Sequence, residues 1–220
     1  MARIRAVAFD FDDTLSDWPS AVGRAIRLLA LEMPADSQAG FAERFLDLAA
    51  ERYPSRNPGP LFFEAQNVIA AVIADATRAI GLGDRFRALV QPVAFPDVAP
   101  ALSGLATGYR LAVLSNNPYT PEGLRVLGLE AHFEKIIAID ESDPRAKPSH
   151  SAFEMLAREL GLAPPEVLYV GDSFFHDVSP ALAVGLAAAW IDRLGTEADL
   201  PDGAHRIASL AELAPLLARL

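Results

Sequence analysis

The sequence contains no cysteine in its 220 residues. Disulfide bonds, thiolate nucleophiles and zinc sites built on cysteine are therefore excluded. The four histidines, His132, His150, His176 and His205, show no spacing typical of metal ligands, so we assign them no role. Any chemistry of this chain must come from other side chains.

Positive charge is also scarce in this sequence. Lysine and arginine together number 19 against 29 aspartate and glutamate residues, which gives a net charge of -10 and a pI near 4.8. A field of this sign repels phosphate backbones and anionic lipid head groups. We therefore expect neither nucleic acid nor a membrane among the partners, although a small anion can still bind locally.

Long apolar runs are missing as well. No run approaches the roughly 20 residues that cross a bilayer, and the first one, which ends at Phe9, is too short for a signal-peptide core. We therefore expect a cytoplasmic protein. The chain is nevertheless 51% hydrophobic, which is enough for a sizeable buried core.

Short apolar runs recur along the chain with helical patterns between them. The runs are almost continuously apolar, which is typical of parallel strands covered by helices on both faces. Their alternation with helices predicts an α/β fold with a doubly wound parallel sheet. The predicted strands are Ile4–Phe9, Arg110–Leu114, Lys135–Ile139, Val167–Val170 and Ala187–Ile191.

The segment 17–95 breaks this alternation. It shows no convincing strand, and its amphipathic or apolar runs predict helices instead. We therefore expect an α-helical domain of residues 17–95 inserted into an α/β core of residues 1–16 and 96–220. The predicted helices of the insertion are Ser20–Glu32, Ser37–Glu51, Leu61–Ile80 and Asp84–Val90.

Polar residues stand where the predicted strands end. Asp10 follows the first strand, Ser115 the second and Asp172 the fourth. Because ligands of open parallel sheets bind at the carboxyl ends of the strands, we expect these residues to meet in one crevice. Lys147 lies in a loop before a predicted helix and can reach the same place.

The residue types at these positions suit phosphoryl transfer. Asp10 is a competent nucleophile toward phosphorus and would form an aspartyl phosphate. In an extended chain Asp12 lies on the same side, so it can protonate a leaving alkoxide and then deprotonate the attacking water. The hydroxyl of Ser115 would bind phosphoryl oxygens, and Lys147 would balance their charge.

The number of carboxylates also predicts a metal ion. Like charges a few ångströms apart repel strongly in a partly dry cleft, so such a cluster usually needs a cation. Asp172 and Asp177 offer hard oxygen ligands, and a ligand set of carboxylate and backbone carbonyl oxygens without histidine or cysteine favours Mg²⁺.

These motifs together resemble those of the haloacid dehalogenase-like superfamily of hydrolases. That family carries Asp-x-Asp-x-Thr after the first strand, Ser or Thr after the second, a Lys, and Gly-Asp with a further Asp. The matching residues here are Asp10, Asp12 and Thr14, then Ser115, Lys147, and Gly171-Asp172 with Asp177. The match spans essentially the whole chain.

The resemblance implies a Rossmann-like core with a C1-type helical cap that closes over the site and selects the substrate. It implies that Asp10 is the nucleophile and Asp12 the general acid and base, with Lys147 as a third catalytic residue. The substrate-binding residues it implies are Thr14, which supports the motif geometry, Ser115, Asn116 and Lys147. The magnesium ligands that it implies are Asp10, the backbone carbonyl of Asp12, Asp172, and Asp177 directly or through water.

One residue departs from the family pattern. Asp13 stands where the family commonly has glycine, which adds a fifth carboxyl group and places a side chain where the backbone geometry normally favours none. None of the four motif functions is lost by this change.

The predicted function is a magnesium-dependent phosphatase that cleaves a small phosphorylated metabolite through an aspartyl phosphate. A 2-haloacid dehalogenase would use the same nucleophile on carbon, but Asp12 argues against it because halide leaves without a proton. A phosphomutase stays open, since the intermediate can return its phosphoryl group to a sugar. The insertion and Asp12 disfavour a phospho-receiver domain, and the complete motif set disfavours a non-catalytic binding protein.

Overall fold

A computed structural model describes residues 3–52, 58–195 and 200–220. The chain divides into two compact units, one formed by Met1–Ser16 and Ala94–Leu220 and the other by Asp17–Val93. The second boundary therefore lies two residues before residue 95, where the sequence predicts the insertion to end.

A six-stranded parallel sheet forms the centre of the first unit. Its strand order is β3-β2-β1-β4-β5-β6, which is that of a doubly wound sheet and confirms the predicted α/β class. The strands are β1 (Ala6–Phe9), β2 (Arg110–Ser115), β3 (Lys135–Ala138), β4 (Val167–Gly171), β5 (Ala187–Ile191) and β6 (Ala204–Ile207).

The last strand, β6, was not predicted. It pairs with β5 at the edge of the sheet, with Ala188 opposite Ala204 and Ile191 opposite Ile207. Between these ends stand His205 and Arg206, so the strand shows no continuous apolar run. Its polar residues are tolerated because an edge strand need not be covered on both faces.

Helices alternate with the strands of the first unit, and the described elements of the second unit are all helices. In chain order over the described residues, the α-helices are α1 (Trp18–Leu31), α2 (Ala35–Gln38), α3 (Phe41–Arg52), α4 (Pro58–Ile73), α5 (Ala76–Leu89), α6 (Val98–Leu105), α7 (Thr120–Val126), α8 (His150–Leu160), α9 (Ser179–Ala183) and α10 (Leu213–Leu217). None of them is long and apolar enough to pass through a bilayer as a helix.

Two apolar clusters lie on opposite faces of the sheet. Alternate residues of β1 point to opposite sides, so that Val7 and Phe9 join one cluster while Ala6 and Ala8 join the other. Residues of α6, α7 and α10 complete the first cluster, and residues of α8 and α9 complete the second. This covering explains why the central strands are apolar throughout.

The second unit is a helical bundle with its own core, in which the rings of Phe45 and Phe86 lie 5.5 Å apart. The predicted single helix Leu61–Ile80 is wrong, because the helix is interrupted between α4 and α5. Ala74 adopts a left-handed φ of 54° that ends α4. The Asp75 carboxylate then accepts a hydrogen bond of 3.0 Å from the Arg78 N–H and caps α5.

Candidate active site

The carboxyl ends of three neighbouring strands bring the predicted residues to one edge of the sheet. Strand β1 lies between β2 and β4. Asp10 directly follows β1, and its N–H donates to the Val170 carbonyl at 2.9 Å. Ser115 is the last residue of β2, and Asp172 directly follows β4. Strands β2 and β3 lie on one side of β1, and β4 continues the sheet on its other side. The strand order therefore reverses here, and the carboxyl ends of strands at such a switch point are where α/β proteins bind ligands.

Lys147 forms the centre of a buried hydrogen-bond network at this edge. Its ammonium group donates to Asp10 Oδ1 at 2.7 Å, to Asp177 Oδ1 at 2.6 Å and to the Tyr169 hydroxyl at 3.0 Å. These three acceptors match the three N–H bonds of an ammonium ion. Burial alone lowers the pKa of Lys147, but the carboxylates of Asp10 and Asp177 outweigh it and raise that pKa well above its usual value.

Asn116 holds the backbone of Lys147 across 31 residues of sequence. Its amide nitrogen donates to the Lys147 carbonyl at 2.7 Å, and its amide oxygen accepts from the Lys147 N–H at 2.8 Å. The sequence predicts Asn116 to bind substrate, whereas in the structure both polar atoms of its amide are engaged by the protein. It therefore anchors the lysine loop to the end of β2.

Three carboxylates form a cluster that fits a divalent cation. Asp10, Asp172 and Asp177 each offer an oxygen, and these oxygens lie within 4.8 Å of one another. Burial raises the pKa of Asp10 to about 7, against the lowering effect of Lys147 and with further repulsion from Asp177. Burial likewise raises the pKa of Asp172 to about 8, with repulsion from Asp10. An all-oxygen set whose charges repel suits Mg²⁺ by donor chemistry and by electrostatics.

Asp177 differs from the other two carboxylates because both of its oxygens already have partners. One accepts from Lys147, and the other accepts from the Ser173 N–H at 2.9 Å. Asp177 belongs to a π-helical turn, Phe174–Val178, which leads directly into α9. This turn aims the carboxylate back toward β4 and the lysine.

Gly171 makes this arrangement possible, and its substitution is predicted to disrupt it. A Cβ at Gly171 would lie 2.5 Å from the Cβ and from Oδ2 of Asp177, closer than real carbon atoms approach. We expect Gly171→Ala to displace Asp177 and to reduce kcat by at least about 100-fold, as small displacements of catalytic groups do. Phosphate release and thermal melting would measure this.

The matched control for that substitution is Gly104→Ala. Gly104 lies in α6, where an added Cβ meets nothing within 4 Å. Alanine there should raise the stability by about 0.5–1 kcal/mol and leave turnover unchanged. Equal activity of the two variants would contradict the role given to the close contact at Gly171.

Asp12 has one side-chain partner in the network, which the sequence interpretation missed. The Asn117 amide nitrogen donates to Asp12 Oδ2 at 2.9 Å. Burial raises the pKa of Asp12, while the hydrogen bond from Asn117 and the charge of Lys147 oppose the rise. The only sequence signal for Asn117 is its position two residues after Ser115, in a polar run that follows a strand.

Two aromatic side chains also support the site, and neither was predicted to do so. The Tyr169 hydroxyl accepts from Lys147 and donates to the Leu114 carbonyl at 2.8 Å. The Trp190 indole N–H donates to the Asp172 carbonyl at 2.7 Å and holds the turn after β4. Both residues lie in apolar strands, where an aromatic residue normally indicates packing alone.

The remaining residues of the predicted motifs, Ser115, Thr14 and Asp13, are buried within the α/β unit. Ser115 is buried, and its hydroxyl accepts from the Asn117 N–H at 3.1 Å. Thr14 is fully buried, and its carbonyl accepts from Arg193 at 2.9 Å. Asp13 is buried with a left-handed φ of 57°, a conformation that favours glycine and that aspartate tolerates better than most residues.

Comparison with known proteins places these features in a family. The sequence model of the haloacid dehalogenase-like hydrolase family matches residues 4–185. The chain is 29% identical over 209 residues to glyceraldehyde 3-phosphate phosphatase of Methanopyrus kandleri, covering 86% of this chain and 84% of that protein.

Two further relatives bear on the chemistry. The (S)-2-haloacid dehalogenase of Xanthobacter autotrophicus is 34% identical over 121 residues, which cover 53% of this chain and 46% of that protein. The crystal structure of a phosphatase of the same superfamily from Thermococcus onnurineus superposes with a TM-score of 0.64 at 27% identity, covering 97% of this chain and 98% of that one.

Proposed function

This chain belongs to the haloacid dehalogenase-like hydrolases, and within that family we propose that it is a magnesium-dependent phosphatase of small phosphate monoesters. The observation that carries the proposal is the carboxyl group of Asp12, which lies two residues after Asp10 and is held by Asn117 at 2.9 Å. A halide needs no proton when it leaves, whereas an alkoxide does. The similarity to glyceraldehyde 3-phosphate phosphatase, which covers 84% of that protein, supports the same conclusion.

We assign the nucleophile to Asp10 and the proton transfers to Asp12. In the first step a bond forms between an Asp10 oxygen and phosphorus, the bond from phosphorus to the ester oxygen breaks, and Asp12 gives its proton to that oxygen. In the second step a bond forms between a water oxygen and phosphorus, the bond from phosphorus to the Asp10 oxygen breaks, and Asp12 takes a proton from the water, so that orthophosphate leaves and the Asp10 carboxylate is restored. Lys147, whose ammonium group lies 2.7 Å from Asp10 Oδ1, orients this carboxylate and balances the charge around the phosphoryl group.

We propose that Asp10, Asp172 and the backbone carbonyl of Asp12 hold Mg²⁺, with Asp177 acting through water because both of its oxygens have protein partners. When bound, Mg²⁺ supplies positive charge that reduces repulsion between the carboxylates and the phosphoryl oxygens. The net charge of the aspartate cluster would otherwise oppose binding of an anionic substrate.

We assign substrate selection to the helical unit Asp17–Val93, as a cap of the C1 type. The chain leaves the core directly after the Asp10 motif and returns to it before β2. Among the described residues, the network around Lys147 draws only on the α/β unit. The reacting groups therefore come from one unit, and discrimination between leaving groups is left to the other.

The test is a comparison of phosphate esters with a haloacid. We expect the purified protein to release orthophosphate from p-nitrophenyl phosphate and from small aliphatic phosphate monoesters with Mg²⁺. Chelator should abolish this release, and no chloride should be released from 2-chloropropionate. Metal-independent chloride release would instead show a dehalogenase, and phosphate transfer to a second position of a sugar without orthophosphate release would show a mutase.

A further inference from the structure

We propose that Asn117 is a positioning residue that determines which oxygen of Asp12 carries the catalytic proton. The inference rests on the proposed phosphatase function, because only a leaving group that needs a proton makes use of it. Nothing in the family motifs quoted above includes this position, which lies 105 residues from Asp12 in sequence.

The orientation of the Asn117 amide follows from its two partners. Its oxygen accepts a hydrogen bond of 2.9 Å from the Tyr119 backbone N–H, a group that can only donate. The amide nitrogen must therefore face the other way, where it donates to Asp12 Oδ2 at 2.9 Å. The Asn117 N–H also donates to Ser115 Oγ at 3.1 Å, so that the residue is tied to the end of β2.

This orientation makes the two oxygens of Asp12 unequal. Oδ2 accepts an N–H bond in the plane of the amide, and a proton placed on that oxygen would compete with the donor already there. A neutral Asp12 therefore carries its proton on Oδ1. When the leaving oxygen takes that proton, the negative charge that remains is stabilised by the same Asn117 donor.

The same oxygen then serves both steps of the reaction. The bond from Oδ1 to hydrogen breaks as the ester oxygen is protonated, and it forms again when the attacking water gives up a proton. Asn117 keeps the carboxyl plane in one orientation between the two steps. Without this donor the carboxyl group can rotate, and the fraction of molecules with a correctly directed proton falls.

A purely structural role for Asn117 makes a different prediction. Its bonds to Tyr119 and Ser115 close a turn after β2, and loss of the turn would lower stability and all activities together. Asn117→Asp separates the two roles, because the carboxylate keeps an acceptor for the Tyr119 N–H but offers no donor to Asp12. Asn117→Ala removes both side-chain hydrogen bonds, the one from Tyr119 and the one to Asp12.

The experiment compares two leaving groups with the 220-residue chain at saturating Mg²⁺. For an alkyl phosphate monoester, which needs a proton on its leaving oxygen, both variants should lower kcat/KM by about 10- to 100-fold. For p-nitrophenyl phosphate, whose leaving group departs without one, the loss should be at most about 3-fold. The exposed Asn67 of α4 provides the matched control, and Asn67→Asp should change neither value.

Equal losses with both esters, or wild-type activity in Asn117→Asp, would overturn the positioning role. The proposed function would still stand in that case, provided that the wild type hydrolyses the esters with Mg²⁺. Absence of hydrolysis by the wild type would remove both. A second readout does not depend on turnover. The side-chain NH₂ signal of Asn117 in an ¹⁵N-labelled sample should move when Asp12→Ala removes its acceptor, and an unchanged signal would contradict the hydrogen bond.

Discussion

Asp10→Asn should reduce phosphate release by at least about 10⁴-fold, because an amide cannot replace the carboxylate as the attacking group. The substitution keeps the size of the side chain and an oxygen that can accept the bond from Lys147, which lies 2.7 Å from Asp10 Oδ1. It also removes one negative charge from a cluster in which burial raises the pKa of Asp10 to about 7. The variant should therefore melt no lower than the wild type at pH 8.

Intact mass after an acid quench gives a direct readout of the same step. Wild-type protein mixed with substrate should gain the mass of one phosphoryl group, and Asp10→Asn should gain none. The exposed Asp202, which lies outside the site, supplies the matched control, and Asp202→Asn should behave as the wild type does. A phosphoryl group found on Asp10→Asn would assign the nucleophile to another residue.

Lys147→Met should have the second large effect, on both stability and activity. The Lys147 side chain is 4% exposed and its ammonium group bonds to two buried carboxylates, so its loss leaves their charges without a partner. Breaking a buried ion pair in this way costs about 3–5 kcal/mol, or roughly 10 °C in Tm for a chain of this size. Turnover should fall by at least about 10³-fold, because the lysine also faces the reacting carboxylate.

The stability of the wild type should itself depend on pH, because two carboxyl groups of the site have raised pKa values. In the metal-free wild type, burial raises the pKa of Asp10 to about 7 and that of Asp172 to about 8. A carboxyl group with a raised pKa binds its proton more tightly when folded, so its contribution is full at low pH and is lost as pH rises through that pKa. Tm of the metal-free protein should therefore fall between about pH 5 and pH 8.

Removal of Lys147 should steepen this fall, since its charge lowers the pKa of Asp10 in the wild type. We expect Lys147→Met to recover much of its Tm near pH 5 and Mg²⁺ to restore part of it near pH 8. Lys135, the only other lysine in the sequence, pairs with Glu159 at 3.5 Å on the surface, and Lys135→Met should cost less than about 1 kcal/mol. A pH-independent loss in Lys147→Met would contradict this electrostatic account.

Local pattern was sufficient for the framework of this protein. Apolar runs such as Val167–Val170 predicted buried parallel strands, because burial on both faces leaves a direct trace in composition. The acids that follow β1 and β4 could be assigned to one crevice, because the carboxyl ends of parallel strands share an edge of the sheet. The order of these residues also sufficed to recognise the family, which the model match over residues 4–185 confirms.

Other features left no such trace in the sequence. The helix break at Ala74 depends on one left-handed residue, because the helical spacing of apolar residues continues past it through Ala76 to Ile80. The edge strand β6 is visible only through its pairing with β5. Both depend on backbone choices that hydrophobic periodicity does not encode.

The hydrogen-bond partners within the site were decided by the tertiary structure alone. Asn116 holds the backbone of Lys147 across 31 residues, and Asn117 reaches Asp12 across 105. Sequence determined which chemical groups stand at the strand ends, because that depends on each residue and its immediate neighbours. Which of those groups bond to each other depends on distances of a few tenths of an ångström between distant segments, and only the packed sheet sets those distances.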